Sequence, residues 1–312
     1  MSAIIDRILQ QVEDPALLDK LLSLSNADLN SLLLALWEEK ARRTTPAQVL
    51  KASQQNRFVN PGTADAAAYH ALEAHLLTRA QADGMETLLL SPSAPFASCS
   101  AFGCVDQNNV LTALRGTETL ADPTNLMALH VADRIRRDPT ALPLHFAATA
   151  RVVRGQPALR KATFAHFGLF GLLSCGKAES SYACEMALLI RHLSFFLRLI
   201  REEYHAAPAI TLRRRSGYPD DVGFFQRTAQ AVRSAFPGVP VTLDESSVDN
   251  GYYKGVNYKL YILRDGQPLE IADGGFVDWL TQMTGSKKER CLISGAGLER
   301  LLMLNQCILK DR

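Results

Sequence analysis

The spacing of apolar residues changes along the chain, and the changes mark its parts. Leu29, Leu32, Leu33, Leu36 and Trp37 recur at three- and four-residue intervals, the signature of one helix face. Ser25 and Asp28 precede them in the arrangement of a capping box. Leu17, Leu18, Leu21 and Leu22 mark a shorter helix upstream, and Thr45-Pro46 opens another with proline at its first position. Residues 1–59 therefore read as a helical segment, either a small bundle packed on the main domain or a docking module for a partner. Asn60-Pro61-Gly62 is a strong turn, so a second unit is expected over 60–312.

Within that unit a helix is expected over 64–82. A strand is expected from Gly84 to Pro92, and a long helix, apolar on most sides, from Glu185 to Ile200. Phe224 to Phe236 reads as a helix stopped by Pro237-Gly238. The period then falls to two. Val256, Tyr258, Leu260 and Ile262 share one face of a strand, and Asn257, Lys259 and Tyr261 the other. Asp265-Gly266 signals a hairpin that returns through residues 268–273. Cys291 to Gly295 reads as a strand and Leu298 to Ile308 as a helix. Antiparallel strands with helices inserted between them predict an α+β layer fold.

Composition narrows the classes. The 312 residues carry 34 basic and 32 acidic side chains, a net charge of +2, which provides no overall field for capturing nucleic acid. The clusters Arg213-Arg214-Arg215 and Lys287-Lys288 read as solvated loop or helix ends. No apolar run is long enough to span a bilayer, and the N-terminus lacks a signal-peptide pattern. Six cysteines without Cys-x-x-Cys spacing read as free thiols of a cytoplasmic protein, with Cys99 and Cys104 flanking a loop. His70 and His75, five apart on a helix, point to different faces, which argues against zinc.

The candidate chemistry begins at the C-terminal end. In Ser294-Gly-Ala-Gly-Leu-Glu-Arg-Leu-Leu302, Gly295 and Gly297 let backbone approach a nucleotide, and Arg300 follows Glu299 in the first turn of a helix, where a guanidinium can clamp phosphates. This run resembles motif 3 of the class II aminoacyl-tRNA synthetases. Asp273-Gly274-Gly275-Phe-Val-Asp-Trp-Leu280 and Gly251-Tyr252-Tyr253-Lys-Gly255 resemble segments of the histidyl branch. Arg151-Val-Val-Arg154, followed by Phe164-Ala-His-Phe-Gly168, resembles motif 2, and residues 84–92 resemble motif 1. Leu114-Arg115-Gly-Thr117-Glu118-Thr119 resembles the segment that grips the substrate's amino group. Asp122-Pro-Thr124 resembles an Asp-x-Thr of the regulatory paralogue found in bacterial ATP phosphoribosyltransferase. Asp106-Gln-Asn-Asn109 is a polar segment beside them, or an ordinary turn.

The resemblance implies an antiparallel sheet flanked by helices, a homodimer, and ATP with Mg²⁺. Arg151 would meet the α-phosphate, with Arg154 or Arg160 as alternative counterparts. Phe164 would stack on adenine, and Gly295, Gly297, Glu299 and Arg300 would hold the triphosphate. Arg115, Thr117, Glu118, Thr119, Tyr252, Tyr253, Asn257, Gly274 and Gly275 would line the substrate pocket, on strands that also carry Tyr258. Asp249, Asp273 and Asp278 are candidate metal or ammonium contacts. Three departures matter: Val153 stands where motif 2 has glutamate, Val248 where histidine activation uses an arginine, and Phe276 where the histidyl branch has another. The chain reaches Arg312 without the anticodon-binding module of the histidyl enzymes, so tRNA charging is not expected. The expected function is ATP-dependent activation of an amino acid or similar carboxylate, with transfer to a carrier protein or small molecule. The alternative is a non-catalytic paralogue that binds an amino acid and regulates a partner enzyme.

Overall fold

A computed structural model describes residues 3–155, 165–246, 251–264 and 267–308. Phe164, Arg160, Val248, Asp249 and the Asp265-Gly266 turn lie outside the described residues.

Four helices come first: α1 (Ala3–Gln11), α2 (Leu17–Leu22), α3 (Asn26–Arg42) and α4 (Pro46–Gln55). Pro46 stands in the first turn of α4 as expected, while the box at Ser25 forms only in part, since the Asp28 carboxylate accepts from Ser25 Oγ instead of the Ser25 amide. Ser25 Oγ accepts from the Asp28 amide, and Thr45 and Gln48 make a reciprocal capping box. Their packing differs from a compact bundle. Leu9 is the one buried residue described on them, and Trp37 is 55% exposed with Leu32, Leu36, Val49 and Leu50 also open. Periodicity makes an apolar face, but nothing in it dictates that the face is covered.

The chain goes on through α5 (Ala66–Ala82), β1 (Glu86–Thr87), β2 (Ser93–Pro95), α6 (Ser98–Ala101), β3 (Thr117–Thr119), α7 (Pro123–Arg137), β4 (Leu144–Val153), β5 (His166–Lys177) and α8 (Ala183–Glu202). It continues with β6 (Pro208–Arg214), α9 (Asp221–Ala235), β7 (Val241–Asp244), β8 (Lys254–Arg264), β9 (Gln267–Val277), α10 (Trp279–Thr284), β10 (Glu289–Gly297) and α11 (Leu298–Ile308). Eight strands form one sheet in the order β1-β4-β5-β10-β9-β8-β6-β7. All neighbours are antiparallel except the two edge pairs, β1 with β4 and β6 with β7. β2 and β3 form a separate two-stranded antiparallel sheet. The expected strand over 84–92 is reduced to β1, and Leu89 beyond it is fully exposed.

Alternation along the strands divides the core into two layers. Ala147, Phe170, Leu172, Leu260 and Leu292 face α5, α8, α9 and α11. Phe146, Ala148, Leu173, Cys175 and Ile293 face α7 and α10. The four residues expected to share a face of β8, Val256, Tyr258, Leu260 and Ile262, are each at most 4% exposed. The arginine cluster is a correction. Arg213 pairs with Asp244 and Arg214 with Asp221 and Glu245, while Arg215 is buried and donates to Asn257 Oδ1 at 2.6 Å. These residues close β6, next to the edge strand β7 that carries Asp244, so pairing replaces solvation. Lys287 and Lys288 are exposed, as expected.

Candidate active-site cleft

A cleft of about 630 Å³ opens over the α7 face of the sheet. Its floor comes from alternate residues of two paired strands, Leu169 and Gly171 on β5 and Ile293, Gly295 and Gly297 on β10. Asp122 caps α7 at one wall by accepting from the Thr124 amide at 2.9 Å, and Asp122 and Thr124 both line the cleft. Tyr252 and Tyr253, packed edge to face, form another wall. Asp273 and Glu270 come from β9, and Glu299, Arg300 and Met303 from α11.

The two glycine pairs serve different ends. A Cβ on Gly274 would lie 2.5 Å from the Ile293 carbonyl oxygen, and one on Gly275 2.6 Å from Tyr253, so these glycines are demanded by packing. A Cβ on Gly295 meets nothing nearer than 3.9 Å, so protein packing does not require glycine there. Its absence of side chain keeps the floor clear.

The charged groups are unevenly committed. The Arg300 guanidinium donates to the Glu270 carbonyl oxygen at 2.6 Å and pairs with no carboxylate among the described residues. Arg154 donates to the Ala121 carbonyl at 2.9 Å, reaches Asp122 at 3.4 Å and lies over the Phe167 ring. Arg151 is placed elsewhere. It pairs with Glu299 at 3.2 Å and donates to His166 Nδ1, outside the cleft lining. That bond fixes the His166 proton on Nε2, which donates to the Asn60 carbonyl.

The segment expected to grip an amino group is also turned away. Glu118 is fully buried; its carboxylate accepts from the Ala97 amide (2.9 Å), Ser98 Oγ (2.8 Å), the Cys99 amide (3.2 Å) and Gln107 Nε2 (2.9 Å). Arg115 sits exposed in the turn closed by the Ala113 amide and the Thr117 carbonyl, where its own amide donates to Asn30 Oδ1, and the Thr117 and Thr119 hydroxyls donate to nearby carbonyls. The structure thus brings Arg154, Gly295, Gly297, Glu299, Arg300, Tyr252, Tyr253 and Asp273 to one cleft. It leaves Arg151, Arg115, Thr117, Glu118, Thr119, Asn257, Gly274 and Gly275 off its lining. Asp278 pairs with Lys254 at 3.7 Å, also outside it. Glu270 and Met303 carry no motif signal in the sequence; Phe167 lies within the motif 2-like run without a role in it, and the alternation of β5 places it with Leu169 and Gly171.

Burial shifts several of these groups. It raises the Asp273 carboxyl to about 6, with the Glu270 carboxylate adding to the effect, and holds the Tyr252 and Tyr253 hydroxyls well above the usual phenol range. Burial likewise lifts the Cys99 thiol to about 12.

Behind the floor, a chain of hydrogen bonds crosses the core. Tyr258 Oη donates to Ser294 Oγ (2.6 Å), Ser294 Oγ meets His192 Nδ1 (2.6 Å), His192 Nε2 meets Ser174 Oγ (2.8 Å), and Ser174 Oγ meets His145 Nδ1 (2.9 Å). Run in that direction, each serine hydroxyl donates once and accepts once. Burial depresses His192 to about 3 and, with help from Arg191, His145 to about 4, so both rings are neutral. His145 also lines a second cavity of about 600 Å³ beside α8, which contains none of the candidate site residues.

Over 80% of its length the chain matches the apo histidyl-tRNA synthetase of S. aureus, with a TM-score of 0.61, 11% identity and 69% of that protein covered. The fold is class II synthetase-like. An ATP phosphoribosyltransferase regulatory subunit/histidyl-tRNA synthetase from Bacillus halodurans C matches at a TM-score of 0.60 and 12% identity, over 80% of this chain and 82% of that one. A histidine–tRNA ligase subunit from Alicyclobacillus acidocaldarius matches at 0.59 and 16% identity, over 80% of this chain and 96% of that one. No protein-family profile matches the sequence, and no curated protein matches it. Among the described residues no helix is long and apolar enough to cross a membrane.

Proposed function

We propose that the cleft binds ATP and an amino acid or related carboxylate and joins them as an acyl-adenylate, whose acyl group is then taken by a nucleophile of a carrier protein or small molecule as AMP leaves. The supporting observation is Arg300, a guanidinium without a carboxylate partner among the described residues, beside the unobstructed glycine floor at Gly295. A substrate carboxylate oxygen attacks the α-phosphorus, the bond to the β-phosphate bridging oxygen breaks, and pyrophosphate leaves with its electrons. Arg300 and Arg154 stabilise the charge that collects on the phosphates. Arg154 takes the role that the resemblance gave to Arg151, which is held by Glu299 and His166. Phe167 offers an aromatic face next to Arg154.

Mg²⁺ is commonly bound by one or two carboxylates together with substrate phosphates. Glu270 and Glu299 line the cleft near Arg300 and are the carboxylates that would meet the metal, each in exchange for the cation it pairs with here, Lys259 and Arg151; no cluster of three or more ligating side chains occurs among the described residues. The same reading includes a cytoplasmic homodimer.

A second reading is compatible with the placement of Arg151. With Arg151 outside the cleft lining, the chain would bind an amino acid without activating it and regulate a partner enzyme, as a non-catalytic paralogue. ATP–pyrophosphate exchange across an amino-acid panel separates the two. Exchange with any substrate, lost in Arg300→Ala, supports adenylation. Silence across the panel, with amino-acid binding intact by calorimetry, overturns adenylation in favour of the paralogue.

A further inference from the structure

The carboxylates that line the cleft are not equally matched. Asp122 has Arg154, Glu299 has Arg151, and Glu270 has Lys259 at 2.5 Å. Asp273 makes no ion pair among the described residues. One of its oxygens accepts from Tyr253 Oη at 3.2 Å, and the other has no donor among the described residues. Lys259 stands directly across the β8–β9 ladder from it, yet its ammonium is spent on Glu270. Lone carboxylates held in partly desolvated sites are expensive unless a cation arrives. Glu118, the residue expected to receive an amino group, is saturated by four donors and does not line the cleft.

We infer that Asp273, with Tyr253 beside it, is the ammonium acceptor of the cleft, so its ligand is a carboxylate that also carries a cationic amine. The inference rests on the reading of the cleft as a carboxylate site. Tyr253 positions the Asp273 oxygen it bonds to, and the second oxygen takes the ligand's N–H. Two sources share this chemistry, an α-ammonium and an ammonium at the far end of a side chain.

Three probes in calorimetry with the full chain distinguish them: L-norleucine, 6-aminohexanoate and hexanoate. At least one of the two amines is expected to bind about tenfold or more tightly than hexanoate, the range of a charge-assisted hydrogen bond. Asp273→Asn removes the difference, and Asp278→Asn, outside the cleft, leaves it. Tighter binding of norleucine identifies the α-ammonium, and tighter binding of aminohexanoate the distal one. Equal binding of hexanoate, failure of both amines to bind at millimolar concentration, or an amine preference that survives Asp273→Asn overturns the inference. So does Asp273-dependent binding of Mg²⁺ alone. The wild-type comparison stands even if the variant is unstable. Pyrophosphate exchange with hexanoate as efficient as with the amines would sink the role of Asp273 and leave adenylation standing. Asp273-dependent amine binding without exchange would do the reverse.

Discussion

Replacing His192 by leucine tests whether the core relay contributes to stability. His192 is fully buried, and its two ring nitrogens meet Ser294 Oγ and Ser174 Oγ. Leucine removes both partners at once. Ser294 keeps the bond it accepts from Tyr258 but loses the acceptor for its own proton; Ser174 keeps His145 but loses its donor. A buried polar group left unpaired costs about 1–3 kcal/mol, so the two together are worth about 2–6 kcal/mol. No charge is lost, because burial keeps the ring neutral. Urea unfolding should show this loss at unchanged m-value. In a double-mutant cycle with Ser294→Ala, the combined loss should fall short of the sum of the single losses by about 1 kcal/mol or more, since both changes break the same bond. A His192→Leu cost below about 0.5 kcal/mol, within the range of an ordinary surface substitution, refutes the reasoning, as does strict additivity.

Other consequences concern the cleft and its surroundings. Arg300→Ala should lower exchange by about 10²–10³-fold without changing the melting temperature, and Arg154→Ala should impair exchange more than Arg151→Ala does. Gly295→Ala should fold normally and bind ATP more weakly in calorimetry. Gly274→Ala should instead cost about 1–3 kcal/mol or more in urea unfolding, because its Cβ meets the Ile293 carbonyl. The Asp273 carboxyl is raised by burial and by Glu270, with Lys259, Tyr253 and Asp122 also facing it. A raised carboxyl favours the fold most at pH below its unfolded value of about 4. Its contribution should decline by about 1–2 kcal/mol as pH rises through about 6, a slope that Asp273→Asn flattens in melts taken across that range. Glu118→Ala should cost about 3 kcal/mol or more, since four donors lose one acceptor.

Local pattern carries some parts of the molecule and not others. The alternation from Val256 to Ile262 and the strand-to-helix junction at Gly297-Leu298 are legible because each is a short-range signal with a definite period. The caps at Ser25 and Thr45 are legible for the same reason. The strands β6 and β7 are not among the elements the pattern predicts, and neither is α7, although Asp122-Pro123 is a cap followed by proline at the first turn. The placement of Arg151 and Glu118 depends on distant partners. His166 and Glu299 draw one out of the cleft, and the amides that open α6 bury the other, contacts spanning 15 to 148 residues. Motif order places both residues near the site; only the fold decides which way a side chain turns.

The N-terminal helices differ from the sheet in kinetic terms. Isolated helices of 6 to 17 residues are marginal in water, and α1–α4 bury almost nothing that would hold them. Their amides should exchange with solvent through local opening at little free-energy cost, while those of β5 and β10, paired from Leu169 to Lys177, wait for global unfolding. A protease given a short exposure would meet the same divide, cutting before Asp65 and stopping where α5 joins the core.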